Sequence, residues 1–348
     1  MSVPLTIFID TNIFDAVKYD FQASTVKAFV DSIRGRSIQM IRPEPIQEEM
    51  IRHIEEQSSS AINALKATAR KHPFLKRLDS WPFEKMANSE LKRKLASKTR
   101  GAYYKFTKNF EVINLGYDGV GVETIMKWYR YQIPPFSDRK KSEFPDAIAL
   151  EIIYQYQVNQ GENIAVISND RDFEKACERY PNLMHYPSLG AYSQGLLNES
   201  EKIINMLSAL AEDDDLLRHD INSAFMDSEF LIEANWDGEV EDPEIVEFQN
   251  LEYNVVALGE NTATLAFEAE IQYSAHVDYD DLDSATYDGG VPYPLHRIQT
   301  KAEEECFISG TIKVKIETVG DQLTISEVQE RFLDQSSFTI GDRCGRYG

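Results

Sequence analysis

Cysteine is scarce in this 348-residue chain: Cys177, Cys306 and Cys344 are an odd number without metal-ligand spacing. That argues against a disulfide framework and points to reduced thiols in a cytoplasmic protein. No run of about 18 apolar residues exists to span a bilayer. The first apolar stretch, Leu5 to Ile9, is short, lacks a basic start and ends in Asp10, so it predicts a buried strand and not a signal peptide. The six histidines form no zinc grouping or catalytic triad, and no Gly-rich phosphate loop follows a predicted strand. Basic residues are also few, 36 Lys and Arg against 58 Asp and Glu. Taken whole, a net charge of -22 argues against a nucleic-acid partner.

Divided along the chain, the charge says something different. Residues 1 to 210 hold 28 Lys and Arg against 26 Asp and Glu, whereas residues 211 to 348 hold 8 against 32. The acidity belongs to the second half. Between Ala64 and Lys108 there are 13 basic residues and 3 acidic ones, with Trp81, Phe83, Tyr103, Tyr104 and Phe106 interleaved. Cations with aromatic faces suit single-stranded nucleic acid, and a solvated helix face or core packing accounts for the same residues equally well. Lys92, Arg93 and Lys94, with Arg139 and Lys140 on a later loop, are the candidate nucleic-acid contacts.

Apolar periodicity alternates between strand and helix through the first half. Strands are predicted at Leu5 to Ile9, Ile38 to Ile41, Val112 to Leu115, Asn163 to Ile167 and Leu183 to Tyr186. Helices are predicted between them, and another at Glu199 to Leu210. Such alternation means an α/β fold on a parallel sheet. After Glu212-Asp213-Asp214-Asp215 the period becomes two, most clearly from Thr264 to Tyr279, with hairpins at Gly259-Glu260-Asn261 and Val319-Gly320-Asp321. The expected organisation is a domain over residues 1–212, carrying a basic helical insertion at about 60–110, then an acidic domain over 222–348 that is mostly antiparallel β.

Four acidic motifs fall where strands end or helices begin: Asp10 in Phe8-Ile9-Asp10-Thr11-Asn12, Glu49 after Pro43-Glu44-Pro45, Asp146 in Phe144-Pro145-Asp146, and Asp170 in Ser168-Asn169-Asp170-Arg171-Asp172-Phe173. In an open α/β sheet those places converge on one crevice. Carboxylates gathered there repel one another, and a divalent metal is their natural counter-ion. Each motif alone is an ordinary turn or helix cap. In this order, over roughly residues 4 to 190, they resemble the PIN domain, a metal-dependent nuclease fold.

The resemblance implies a parallel-sheet α/β sandwich that hydrolyses phosphodiester bonds, most often in RNA, with Mg2+ or Mn2+ held by Asp10, Glu49, Asp146 and Asp170. Asp172 either joins them or caps the helix it starts. Asn12 and Ser168 are expected to orient carboxylates by hydrogen bonding. Glu48 competes with Glu49, and the family pattern favours Glu49. Two-metal hydrolysis needs several carboxylates from different strands in one small crevice. A phosphatase of the haloacid dehalogenase type wants Asp where Asn12 stands. The leading reading is an endoribonuclease, toxin-like or defensive. A structure-selective DNA nuclease uses the same acids. A non-catalytic module, binding nucleic acid through the insertion and a protein partner or another copy through the acidic domain, is the third reading.

Overall fold

The structure, a computed structural model, describes residues 3–77, 86–136, 143–197, 201–232, 238–281, 284–288, 291–293, 295–319 and 322–340. Trp81, Phe83, Arg139, Lys140 and Cys344 lie outside the described residues. The chain divides into two units, Met1–Leu197 and Asn198–Gly348.

In the first unit, β1 (Thr6–Ile9) and a later strand, Ile164–Ile167, bury every residue. Strands with no polar face belong in the middle of a sheet covered on both sides. The chain order is β1, α1 (Asn12–Ala16), α2 (Ser24–Ser32), β2 (Gln39–Pro43), α3 (Glu44–Lys71), α4 (Asn88–Thr107), β3 (Glu111–Leu115), α5 (Val122–Tyr131), α6 (Phe144–Gln160), β4 (Ile164–Ile167), α7 (Arg171–Cys177), β5 (Leu183–Tyr186) and α8 (Leu189–Leu196). The five strands are parallel in the order β3-β2-β1-β4-β5. Ile7 and Ile9 enter one core with Phe14, Phe29, Tyr103 and Phe106, while Phe8, between them, enters the other with Ile41, Leu150 and Phe173. The α/β sandwich expected from the sequence is therefore the fold. Strand order reverses between β1 and β4, and in open α/β sheets the C-terminal ends of the strands at such a point are the usual place for a ligand.

The basic insertion is helical: α3 runs for 28 residues and packs on α4. Tyr103 and Phe106 are buried against Phe14 and Phe21, which removes them from the aromatic faces open to a nucleic acid. Tyr104 remains exposed, as do Arg93 and Lys94, and Lys92 is half-buried.

The second unit begins with two helices, α9 (Glu201–Glu212) and α10 (Asp215–Met226), followed by β6 (Glu229–Ile232), β7 (Gly238–Leu258), β8 (Thr262–Asp280), β9 (Thr286–Asp288), β10 (Val291–Tyr293), β11 (Arg297–Val319), β12 (Gln322–Leu333) and β13 (Ser337–Ile340). Helix α9 packs on β7 and β12, so it belongs here and not to the first domain, where the sequence reading ended at residue 212. Its buried Ile204, Leu207 and Ala211 form an apolar stripe at helical spacing that needs this sheet. The sheet is antiparallel in the order β12-β11-β8-β7. One face of β8, including Leu265, Phe267, Ile271, Tyr273 and Val277, is fully buried. The other face carries much of the acidity: Glu268 lies opposite Glu252, and Gln272 stands between Glu247 and Glu305.

Phe225 of α10 closes this core, its ring centroid 4.6 Å from that of Phe338, 5.0 Å from Phe230 and 5.2 Å from Tyr273. Phe225→Ala is expected to cost about 3–5 kcal/mol, read as a lowered urea midpoint in the transition of the second unit. No helix among the described residues is long and apolar enough to cross a membrane.

Candidate metal centre at the strand ends

Asp10 is the residue at which β1 stops, and it is 4 % exposed. Its backbone N–H donates to the Ile167 carbonyl at 2.9 Å, which fixes it beside the end of β4. One carboxylate oxygen accepts from the Thr11 N–H at 2.7 Å and the other from the Ser168 hydroxyl at 2.7 Å. Burial pushes the Asp10 carboxyl up to about 7, opposed by those two hydrogen bonds and reinforced by the charges of Glu49 and Asp170. Desolvation wins because two neutral donors do not replace the hydration of an ion in a dry site.

Ser168 links three of the expected residues. Its hydroxyl donates to Asp10 and accepts from the Asn12 side-chain amide and the Asp170 N–H, both at 3.1 Å. The Ser168 carbonyl is held in turn by His185 Nε2 at 2.7 Å. Asn12 also accepts from the Asn169 N–H at 3.4 Å. Ser168→Ala leaves Asp10, Asn12 and Asp170 without a shared partner. It is expected to weaken Mn2+ binding by about 10-fold or more, measured by calorimetric titration of the metal-free chain.

Helix α3 brings in Glu49. Pro45 near its start suits the first turn, where a missing N–H costs nothing. Ile46, Met50 and Ile54 are buried, so Glu49 is half-buried beside them, and its Oε2 lies 3.4 Å from the Thr11 hydroxyl. Glu48 is exposed and accepts from the Tyr117 hydroxyl at 3.2 Å, away from Asp10.

Asp146 lies in the first turn of α6. Burial raises its carboxyl far above the usual range, with contributions from Glu143, to which it is hydrogen bonded, and from the charges of Asp10 and Glu49. Asp170 is the N-cap of α7, accepting from the Asp172 N–H at 2.7 Å. The cap is thus Asp170 and not Asp172, for which capping this helix was the expected alternative to joining the acids.

Asp10 is the hub of this arrangement: the charges of Glu49 and Asp170 raise its pKa, and its own charge raises that of Asp146. Among the described residues no three His, Cys, Asp or Glu side chains are gathered closely enough to hold one ion together. Each carboxylate is satisfied locally instead, Asp10 by Thr11 and Ser168, Glu49 by Arg52 and His53, Asp170 by the start of its helix. The donor chemistry nevertheless fits a hard divalent cation, being all carboxylate oxygen around an acid that burial penalises when ionised. Glu143, Arg52 and His53 were not singled out by sequence reasoning. All three had a signal: Glu143 precedes Asp146 by three residues, and Arg52 and His53 follow Glu49 by three and four, the spacings at which side chains on a helix meet.

The PIN domain model matches residues 7–173. No curated protein and no solved structure matches the chain. Those residues span β1 through the start of α7 and contain Asp10, Glu49, Asp146 and Asp170, so over this stretch the first unit is similar to the PIN domain.

Proposed function

We propose that the first unit is a metal-dependent endoribonuclease that hydrolyses phosphodiester bonds in single-stranded RNA. The observation that carries the proposal is a buried Asp10 at the reversal of strand order, its carboxyl raised to about 7 in a field to which Glu49 and Asp170 contribute. An ionised acid is costly there, and an amide side chain suits the same position better unless a cation offsets the charge. Asp10, Glu49, Asp146 and Asp170 are the proposed holders of Mg2+ or Mn2+, with Asp172 adjoining. A cation bound among them supplies an activated water and charge neutralisation on the phosphate. Ser168 and Asn12 orient the acids.

Exposed Arg93 and Lys94 on α4, with half-buried Lys92 and exposed Tyr104, are the proposed path for the nucleic-acid strand. A reducing, cytoplasmic setting is part of the proposal: Cys177 is buried and free, its thiol pushed up to about 12 by burial. The test compares labelled single-stranded RNA with flap DNA as substrates of the full chain in Mg2+, in Mn2+ and in EDTA. Metal-dependent internal cleavage of RNA is expected. Cleavage confined to flap DNA transfers the site to DNA, and no cleavage of either overturns the proposal.

A further inference from the structure

We infer that His53, gripped by the Tyr19 hydroxyl, positions Glu49 in the proposed metal site, and that neither His53 nor Tyr19 is itself a metal ligand. The inference rests on the nuclease reading above, and it assigns a role to a cluster that reading leaves unused. His53 lies one helical turn after Glu49 on α3, and its Nε2 is 3.6 Å from Glu49 Oε1. Its other ring nitrogen, Nδ1, is 2.7 Å from the Tyr19 hydroxyl, with Asp15 Oδ1 at 3.7 Å. The two rings meet edge to face, 6.2 Å between centroids at 82°. One end of the imidazole is therefore fixed while the other faces the carboxylate.

Glu49 is held from both sides. Arg52 and His53 stand at Oε1, 3.4 and 3.6 Å away, and the Thr11 hydroxyl stands at Oε2, 3.4 Å away. Thr11 is also the residue whose N–H holds Asp10. The side chains at Oε1 thus keep Oε2 on the Asp10 side of the crevice. A half-buried Glu on a helix has several rotamers open to it, and this contact set selects one that serves the site.

The backbone supports a purpose for Tyr19 beyond filling space. Lys18 and Tyr19 are successive residues at φ +52° and +60°, the left-handed region that residues with a Cβ seldom occupy. The turn is held by Lys18 N–H to the Asp15 carbonyl at 3.0 Å and Tyr19 N–H to the Phe14 carbonyl at 2.8 Å. Sparse backbone conformations cluster at functional sites because the surrounding structure must sustain them. Here the turn delivers a buried ring whose polar tip meets His53, and a phenylalanine fills the same apolar volume without that contact.

The test is Mn2+ titration of the metal-free full chain, followed by electron paramagnetic resonance of free Mn2+, with far-UV circular dichroism to confirm folding. His53→Ala is expected to weaken binding by about 10-fold. Tyr19→Phe is expected to weaken it by about fivefold, through loss of the hydroxyl that bonds His53 and also interacts with Asp15. His53→Gln, whose amide nitrogen reaches the Nε2 position, is expected to recover most of the loss. Glu49→Gln serves as the reference for a lost ligand. If Glu49→Gln weakens binding while His53→Ala and Tyr19→Phe do not, the positioning role is overturned. It is also overturned if His53→Gln folds but binds as weakly as His53→Ala, because ring packing then explains the effect. Should His53→Ala fail to fold, the Gln and Phe variants decide. Unchanged binding in Glu49→Gln and Asp10→Asn together overturns the metal-site reading itself, a separate result.

Discussion

Replacing Asp10 by Asn is expected to lower metal-dependent cleavage by about 10²–10³-fold while making the metal-free protein more stable at neutral pH. The two effects come from one fact, the burial of a carboxylate with only Thr11 and Ser168 as donors. A carboxyl raised from 3.8 to about 7 favours the protonated form in the folded state. The associated cost is absent below the unfolded pKa, grows as pH rises from about 4 to about 7, and is complete above that. A shift of that size corresponds to about 4 kcal/mol at 1.36 kcal/mol per unit. Asn avoids it but cannot accept from both donors, losing about 1–2 kcal/mol. Desolvation is the larger quantity, so a net gain of about 2 kcal/mol is expected at pH 8. At pH 4 only the hydrogen-bond loss remains, and the variant is expected to be the less stable protein. Urea unfolding in EDTA at the two pH values checks the crossover, and a variant less stable at both contradicts it.

Metal binding is expected to be steeply pH-dependent for the same reason. Asp10 at about 7, and Asp146 also raised, hold protons that a cation must displace. Mn2+ affinity is therefore expected to rise as pH increases through 6 and 7, by about tenfold per unit for each proton displaced. Ligand linkage makes the same point in stability: at 100 times the dissociation constant a bound cation adds about 2.7 kcal/mol, and that increment shrinks in acid. Calorimetry in buffers of different ionisation enthalpy reads the proton release directly. Binding with no proton release at pH 6, or affinity unchanged between pH 6 and 8, contradicts the placement of the cation at these acids.

The first unit was largely legible because its strands announce themselves. Ile7-Phe8-Ile9 and Ile164-Ala165-Val166-Ile167 are unbroken apolar runs, the mark of strands covered on both faces. Their order, with the acids at their ends, was enough to reach the fold. The second unit was legible only where alternation is uninterrupted. β8 was found almost whole, whereas of β7 only the end at the Gly259-Glu260-Asn261 hairpin was expected and the strand runs from Gly238. Its register shifts between Glu241 and Glu244 and between Gln249 and Glu252, with Asp242 and Asn250 at φ +49°. Each bulge reverses which positions face the core, and the period-two pattern is lost at that point. Helix α10 was missed because Asp215, Arg218, His219 and Asp220 mask Leu217, Ile221 and Phe225, its buried stripe.

At the candidate site the acids, with Asn12 and Ser168 as their partners, were named from the sequence, while Tyr19, Arg52 and His53 were not. Packing separates Glu48 from Glu49, since buried Met50 and Ile54 leave Glu49 half-buried near Thr11 and Glu48 exposed beside Tyr117. Tyr19 gains its meaning only from a turn that no residue preference predicts, two left-handed residues without a glycine. Ser168 was expected to orient a carboxylate, and its joint hold on Asp10, Asn12 and Asp170 depends on β1 and β4 being neighbours.

The most direct measurement is anomalous scattering at the manganese edge from crystals of the full chain soaked in Mn2+. The account predicts a peak among the carboxylates of Asp10, Glu49, Asp146 and Asp170, lost in Asp10→Asn crystals soaked in the same way. A chain that cleaves RNA yet shows no peak at Asp10, or binds Mn2+ only on the acidic sheet of the second unit, contradicts it.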